Sequence, residues 1–129
     1  FERTAFVSSD LLAALPSDVR FDAILANPPY VPSDETTELL KDGRGEPRIA
    51  LDGDADGALD VRQSSDGLAI TRRLAVQAYE HLAQGGMFFL ESGEYNAQEA
   101  ARLMKKAGFI RVETHGDLSG RPRVTTGVR

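Results

Sequence analysis

A short apolar run that ends abruptly is the feature of this sequence that most constrains its fold. Residues 20–26 read RFDAILA and are almost continuously apolar after Asp22. Such runs are typical of strands buried on both faces, as in parallel sheets. The run then meets the prolines of Asn27-Pro28-Pro29-Tyr30, which have no N–H to donate to a strand ladder. The sequence therefore predicts a buried strand over 20–26 with a rigid exit.

The rest of the chain alternates between strand and helix patterns. Further strands are predicted over 4–8, 87–92, 109–115 and 123–129, where β-branched and aromatic residues cluster. Three helices are predicted. The first is one turn capped at Ser9 or Asp10 and ended at Leu15. The second covers 65–84, is capped by Ser65 or Asp66, is stopped by Gly85-Gly86, and turns Leu68, Leu74 or Ala75, Ala78 and Leu82 inward. The third covers 96–107, with Asn96 in the cap role and Gly108 just after its end, and turns Ala100, Leu103, Met104 and Ala107 inward. Alternating β and α elements predict an α/β fold with a mostly parallel sheet covered by helices on both faces. The short link before 123–129 predicts that the last strand is antiparallel.

The segment 31–64 lacks a clean hydrophobic period and is rich in Asp, Gly, Pro and Ser. It is far longer than an ordinary connection between elements, so we expect a long loop that is either functional or a mobile surface segment.

Composition excludes several classes of protein. The 129 residues are enough for one domain with its own core. There is no cysteine, which excludes disulfides, thiol catalysis and Cys-based metal sites. The net charge is -5 without a basic run, which speaks against a nucleic-acid partner. No apolar run approaches a membrane span and no signal peptide is evident, so we expect a cytoplasmic protein.

The residues Asn27, Pro28, Pro29 and Tyr30 offer a specific chemistry. Pro28 holds Asn27 in an extended conformation, which fixes the direction of its side chain. The two prolines offer carbonyl acceptors and have no N–H donor of their own. Tyr30 supplies a flat aromatic face. Together these groups could accept both hydrogens of a planar NH₂ group and pack against its plane, so that its nitrogen is positioned for attack. The alternative is a rigid strand exit with an ordinary surface tyrosine.

The stretch FDAILANPPYVP resembles the acceptor motif of amino-methylating, S-adenosylmethionine-dependent methyltransferases, which act on adenine N6, cytosine N4 or glutamine N5. Four further stretches, EPRIALDGDADG (46–57), GGMFFLESG, AGFIRVETHGDLSGRPRVTTGVR and the opening VSSDLLAAL, are similar in order and spacing to the release-factor glutamine N5-methyltransferases. The resemblance covers nearly the whole chain. It implies the C-terminal portion of a Rossmann-like class I methyltransferase sheet.

The resemblance also implies site residues, a cofactor and a partner. The family methylates the glutamine amide in the GGQ loop of peptide chain release factors, with S-adenosylmethionine as donor. Asn27, Pro28, Pro29 and Tyr30 would hold the amide. Asn27 would also lie beside the methionyl part of the cofactor, and Asp10 and Leu11 would lie near its adenine. No metal is implied.

Three parts of the family pattern are missing from the sequence. The Gly-rich loop that holds S-adenosylmethionine and the acidic residue that binds its ribose are not found, and neither is the helical N-terminal domain. We therefore expect residues 1–129 to be the C-terminal half of a catalytic domain, and we expect this half alone to be inactive and to bind the cofactor weakly. An adenine-N6 methyltransferase and a non-catalytic binding fragment remain as alternatives.

For the other candidate groups we expect structural or surface roles. DGDADG (52–57) resembles the start of a calcium loop, but Gln63 stands where the loop requires Glu. We expect structural or surface roles for His81 and His115. Structural polar contacts are expected of Glu91 and Glu94, and solvated positions of Arg121 and Arg123.

Overall fold

The structure is a computed structural model that describes residues 3–43, 45–55 and 65–129. Its regular elements, in chain order, are β1 (Phe21–Ala26), α1 (Ser33–Lys41), a 3₁₀ helix (Arg48–Ala50), α2 (Ala69–His81), β2 (Leu82–Glu91), α3 (Ala97–Ala107), β3 (Ile110–Gly116) and β4 (Pro122–Val128).

The four strands form one sheet in the order β1-β2-β4-β3. β1 pairs with β2 in parallel, whereas β4 is antiparallel to both of its neighbours. β1, β2 and β3 therefore run in one direction and β4 runs against them. This confirms the predicted α/β class with a mostly parallel sheet and an antiparallel last strand. The five residues between β3 and β4 are too few for a parallel crossover, which is why the pair is a hairpin.

The core lies on one face of the sheet. Ile24 of β1 and Phe88 and Leu90 of β2 point to this face, and helices α2 and α3 cover it. Phe88 also stacks on Phe109, with 5.5 Å between the ring centroids. On α2 the predicted inward residues are all buried: Leu68, Leu74, Ala75, Ala78 and, just beyond the helix, Leu82. On α3 Ala100 and Met104 are buried, and Leu103 and Ala107 are half-buried.

The expectation that β1 is buried on both faces is wrong for the part of the chain that the structure describes. Leu25 is 75% exposed and Met87 of the neighbouring strand is 38% exposed. Side chains alternate between the two faces of a strand, and α2 and α3 lie on the same face. The predicted coverage of both faces by helices is therefore not seen in residues 3–43, 45–55 and 65–129.

Two predictions near the start of the chain are also wrong. Residues 4–8 do not form a strand, because no described strand lies beside them to accept their backbone hydrogen bonds. Residues 10–15 form two tight turns instead of one helical turn, with Ala13 N donating to Asp10 O and Leu15 N to Leu12 O. Leu11 has a φ of 54°, which a right-handed helix does not permit.

The segment 31–64 contains regular structure that its sequence did not indicate, namely α1 and the 3₁₀ helix. Thr36 is the buried residue of α1, so the helix has almost no apolar stripe to detect. Asp34 and Glu35 in its first turn and Lys41 in its last turn suit the helix dipole. Residues 44 and 56–64, which include the rest of the calcium-like stretch, lie outside the described residues.

Boundaries shift at the other helices. α2 begins at Ala69, after Asp66 Oδ1 has accepted a hydrogen bond from Leu68 N. The chain enters β2 at Leu82, which pairs with Phe21, so the helix ends before the glycines expected to stop it. α3 ends as predicted at Gly108, whose φ of 113° is a left-handed conformation that favours glycine.

Candidate functional site

Residues 27–31, which we call the NPPY loop, leave the sheet directly after β1. β2 runs parallel to β1, so Ser92 and Gly93 leave the sheet at the same edge. Ligands of open α/β sheets bind beyond this carboxyl edge. The loop therefore lies where the fold places binding sites.

A cavity of about 220 Å³ opens on the NPPY loop. All four residues predicted from the motif line it, and residues from the similar stretch at 46–57 form the rest of its wall. The lining residues are Asn27, Pro28, Pro29, Tyr30, Val31, Glu46, Ala50 and Leu51. The structure thus brings together two stretches that lie about 20 residues apart in the sequence, and the 3₁₀ helix presents the second of them.

Backbone hydrogen bonds join the NPPY loop to the segment after the 3₁₀ helix. Val31 N donates to Leu51 O over 2.9 Å, and Gly53 N donates to Val31 O over 2.9 Å. Val31 and Asp52 form a short parallel bridge. The direction of the NPPY loop is therefore fixed by main-chain pairing, which the prolines themselves cannot supply.

Two glycines allow this close approach. A Cβ on Gly53 would lie 2.0 Å from Gly67 O and 2.9 Å from Pro29 O. A Cβ on Gly67, whose φ is +72°, would lie 2.2 Å from Tyr30 O. No larger residue fits at either position without moving the backbone. Since Gly53 and Gly67 touch, the long segment between them starts and ends at the same place, beside the NPPY loop.

A buried carboxylate holds the same region together. Asp52 is 1% exposed and accepts hydrogen bonds from Ser33 Oγ (2.6 Å) and Asp54 N (3.1 Å). Arg48 Nη2 lies 2.8 Å from Asp52 Oδ2, and the same guanidinium donates to Ser33 O over 3.2 Å. The ion pair therefore ties the 3₁₀ helix to the start of α1, on either side of the cavity wall.

The residues just before α3, Tyr95 and the N-cap Asn96, hold the NPPY loop from the other side. Asn96 Nδ2 donates to Tyr30 O over 3.0 Å, and Tyr95 Oη donates to the same carbonyl over 3.2 Å. Gly93 leaves room for both rings, because a Cβ there would lie 3.2 Å from Tyr30 Cδ2 and 3.0 Å from Tyr95 Cε1. Burial, and then the negative charge of Glu35, raise the pKa of the Tyr95 phenol.

Asp10 and Leu11, the other predicted site residues, lie apart from this cavity lining, in the turns at 10–15. Arg73 of α2 pairs with the Asp10 carboxylate at 2.5 Å, and the Asp10 side chain is 69% exposed. Leu12 N donates to Gln77 Oε1 over 2.9 Å, which ties the turns to α2. The positive φ of Leu11 is costly for a bulky residue, and such strain is concentrated at binding sites.

The remaining candidates have protein partners. His81 is buried, and its Nδ1 lies 3.2 Å from Val19 O, so it is a donor within the fold. His115 Nε2 lies 3.1 Å from Thr126 Oγ1 on the neighbouring strand. Arg121 lies 3.5 Å from Glu94 and Arg123 lies 3.7 Å from Asp117. Glu91 is the last residue of β2 and is half-buried.

The structure shows neither a metal-binding cluster nor a membrane-length helix within its described residues. No group of three or more His, Cys, Asp or Glu side chains there could hold a metal ion. No helix in 3–43, 45–55 or 65–129 is long and apolar enough to cross a membrane.

Reasoning from the residues alone missed most of the groups that support the NPPY loop. The resemblance drew attention to 46–57 as a stretch, but no spacing rule pointed to the ion pair of Asp52 and Arg48. Asn96 was expected to cap α3 with its side chain, and that cap is not formed. No signal in the single sequence points to these residues.

Comparisons with known proteins identify similar chains. No protein-family model matches. The chain is 38% identical over 128 residues to the release factor glutamine methyltransferase of Caulobacter vibrioides, covering 98% of this chain and 40% of the relative. It is 34% identical over 125 residues to that of Bordetella pertussis, covering 97% of this chain and 43% of the relative. The chain thus spans about two fifths of the curated relatives it matches.

A solved structure is also similar. The protein-(glutamine-N5) methyltransferase (release factor-specific) of Alicyclobacillus acidocaldarius is 30% identical, with a TM-score of 0.48, covering 85% of this chain and 49% of that one. The predicted resemblance is confirmed by the curated relatives: over nearly all of its own length, this chain is a relative of the release factor glutamine methyltransferases.

Proposed function

We propose that this chain is the C-terminal part of the catalytic domain of a protein-(glutamine-N5) methyltransferase. The proposed substrate is the side-chain amide of the glutamine in the GGQ loop of a peptide chain release factor, and the proposed methyl donor is S-adenosylmethionine. The observation that carries the proposal is the cavity at the carboxyl edge of the sheet, lined by all four residues of the NPPY motif. The names of the relatives support the reaction and the substrate class.

The cavity suits an amide because of what its wall offers. Asn27 has a carbonyl oxygen that accepts one amide hydrogen, and a proline carbonyl accepts the other. Pro28 and Pro29 contribute no N–H, so the prolines themselves add no competing donor. The ring of Tyr30 packs on the amide plane. Two accepted hydrogen bonds hold the nitrogen in one orientation, which is the main contribution a protein makes to such a transfer.

The residues present fit one end of the proposed cofactor. Asn27, in the cavity wall, would lie beside its methyl-bearing part. Asp10 and Leu11 would hold its adenine, and the strained φ of Leu11 supports a binding role for that turn. When bound, S-adenosylmethionine supplies an electrophilic methyl group. The Gly-rich loop of the family is not in this sequence, so the rest of the cofactor site would belong to a longer protein.

The test is methylation of a release factor by the full-length enzyme that contains this chain. We expect methyl incorporation at the GGQ glutamine, detected by peptide mass spectrometry, and none when that glutamine is replaced. Asn27→Ala should abolish turnover while the fold is retained, and Asp18→Ala at an exposed position is the matched control.

Three results would count against the proposal. Retained turnover by Asn27→Ala would overturn the role of Asn27. Transfer to DNA instead of the release factor would favour the adenine-N6 alternative. Tight binding of S-adenosylmethionine by residues 1–129 alone, measured by calorimetry, would contradict the division of the cofactor site.

A further inference from the structure

We infer that Asn96 is a positioning residue of the active site, and that with Tyr95 it sets the orientation of Tyr30. This inference rests on the proposed function, since it assigns a part in that reaction to a residue outside the NPPY motif. Tyr30 O is the atom through which the two residues act. It accepts hydrogen bonds from Asn96 Nδ2 over 3.0 Å and from Tyr95 Oη over 3.2 Å.

The position of Asn96 makes its side-chain bond unusual. Asparagine is a preferred N-cap residue because its side-chain oxygen accepts N–H groups of the first helical turn. Asn96 occupies the N-cap of α3, yet its side chain makes no capping hydrogen bond. The amide instead reaches across 66 residues of sequence to the NPPY loop. The site therefore uses Asn96 for a contact that α3 itself does not need.

Burial indicates that this contact is specific. Asn96 is 5% exposed, and its Oδ1 is buried without a hydrogen-bond partner in the described part of the chain. A reversed amide would place Oδ1 against the carbonyl oxygen of Tyr30, so the donor role of Nδ2 follows from its partner. The hydrogen bond to the Tyr30 carbonyl thus fixes the orientation of the Asn96 side chain.

The carbonyl group of Tyr30 is held by contacts from two segments of the chain. Asn96 and Tyr95 hold its carbonyl from the side of α3, and Gly67 packs against the same oxygen from the opposite segment. The two donors fix the direction of the carbonyl and of the peptide that follows Tyr30, while the ring of Tyr30 lies against Gly93 beside the ring of Tyr95. A shift of this backbone would move the ring as well. A small displacement of a positioning group costs up to about a hundredfold in rate. The side-chain amide of Asn96 thereby acts on the substrate amide through Tyr30, without touching the substrate itself.

The test removes the donor and keeps a residue type that can cap a helix. Asn96→Asp places an equally good N-cap at α3, with a charge that suits the helix N-terminus, but it has no N–H to donate to Tyr30 O. In the full-length enzyme we expect kcat to fall about 10- to 100-fold, with KM for the release factor nearly unchanged. We also expect faster hydrogen–deuterium exchange at the amides of Tyr30 and Val31, because residues 28, 29 and 32 of this segment are prolines without an N–H. Arg102→Ala, on the exposed face of α3, is the control and should change neither quantity.

A milder variant guards against misfolding. Tyr95→Phe keeps the ring against Gly93 and removes only the hydroxyl donor, so we expect a two- to tenfold fall in kcat, about the value of one hydrogen bond. Unchanged kcat and unchanged exchange at Tyr30 and Val31 in a folded Asn96→Asp enzyme would overturn the inference. Absence of methylation by the unaltered enzyme would refute the proposed function instead. In that case the exchange measurement still decides whether Asn96 holds the loop, and unchanged exchange refutes it.

Discussion

The NPPY loop and the turns at 10–15 both carry predicted site residues, but the chain supports them very differently. The NPPY loop is joined to residues 51–53 by backbone hydrogen bonds, contacts Gly67, and is held by the residues just before α3. The turns at 10–15 contact α2 through Gln77 and Arg73 and pack Leu11 and Leu12 against the core, while the Asp10 side chain remains largely exposed. The comparison indicates that several segments of this chain hold the proposed amide site. The turns that carry the proposed adenine contacts rest on α2 and the core.

The largest effect is expected where the NPPY loop is packed most closely. Gly67→Ala places a Cβ 2.2 Å from Tyr30 O. We expect a loss of at least about 3 kcal/mol in the free energy of unfolding, measured by urea denaturation. Gly43→Ala is the matched control, because its φ is also close to +70° but nothing lies within 4 Å of the added Cβ. It should cost about 1 kcal/mol, so equal losses would show that the contact with the NPPY loop is unimportant.

A smaller loss is expected from removal of the buried ion pair. Arg48→Ala leaves the Asp52 carboxylate, 1% exposed, without its charged partner. Because the Arg48 side chain is 47% exposed, water can replace part of the contact, and we expect a cost of about 1–3 kcal/mol. Lys41→Ala removes the exposed pair with Glu38 and should cost less than about 0.5 kcal/mol. A similar loss in both variants, in urea denaturation, would contradict the special role of Asp52.

The turns at 10–15 should tolerate the same kind of change. Asp10→Ala removes the pair with Arg73 from the side of the Asp10 side chain, which is 69% exposed, so we expect a cost below about 1 kcal/mol. Hydrogen–deuterium exchange at the amides of Tyr30 and Val31 should not change. A loss as large as that of Arg48→Ala would show that the two regions are equally supported.

The smallest effect concerns a single carboxyl at the start of α1. A hydrogen bond from Ser65 Oγ, over 2.9 Å, is the main reason that the pKa of Asp34 is lowered from its ordinary 3.8. Since the folded pKa is the lower one, this contact stabilises the fold above pH 3.8 and is lost as the pH falls through the folded pKa. Ser65→Ala should move the pKa of Asp34 up towards the ordinary value in an NMR titration. An unchanged titration would show that the hydroxyl is not the cause.

Sequence patterns predicted the strands that carry strong apolar runs and the helices that carry apolar stripes. The buried positions on α2 and the glycine at the end of α3 followed from local rules, because packing and backbone conformation are encoded at fixed spacings there. The antiparallel last strand followed from the length of a link. α1 was missed because Thr36 is its buried residue, and residues 4–8 were misassigned because strand formation depends on a neighbour.

The candidate site was predictable only in part for a similar reason. The four residues of the NPPY motif are contiguous, so their chemistry can be interpreted together. Their supports come from 48–53, Gly67 and 95–96, and nothing in local spacing indicates that these meet. Asn96 shows the difficulty well, since the same residue at the same helix position is expected to cap α3 and instead binds a distant carbonyl.

The contact between Gly53 and Gly67 has a consequence for how the molecule could vary. A segment whose two ends touch can change in length without moving either end, and extra residues in such a segment cost little loop-closure entropy. The residues between Ala55 and Ser65 are therefore a natural point for insertion of a reporter peptide or an affinity handle. An insertion there would leave the contact between Gly53 and Gly67 in place. The backbone hydrogen bonds of Val31 with Leu51 and Gly53 would also be kept.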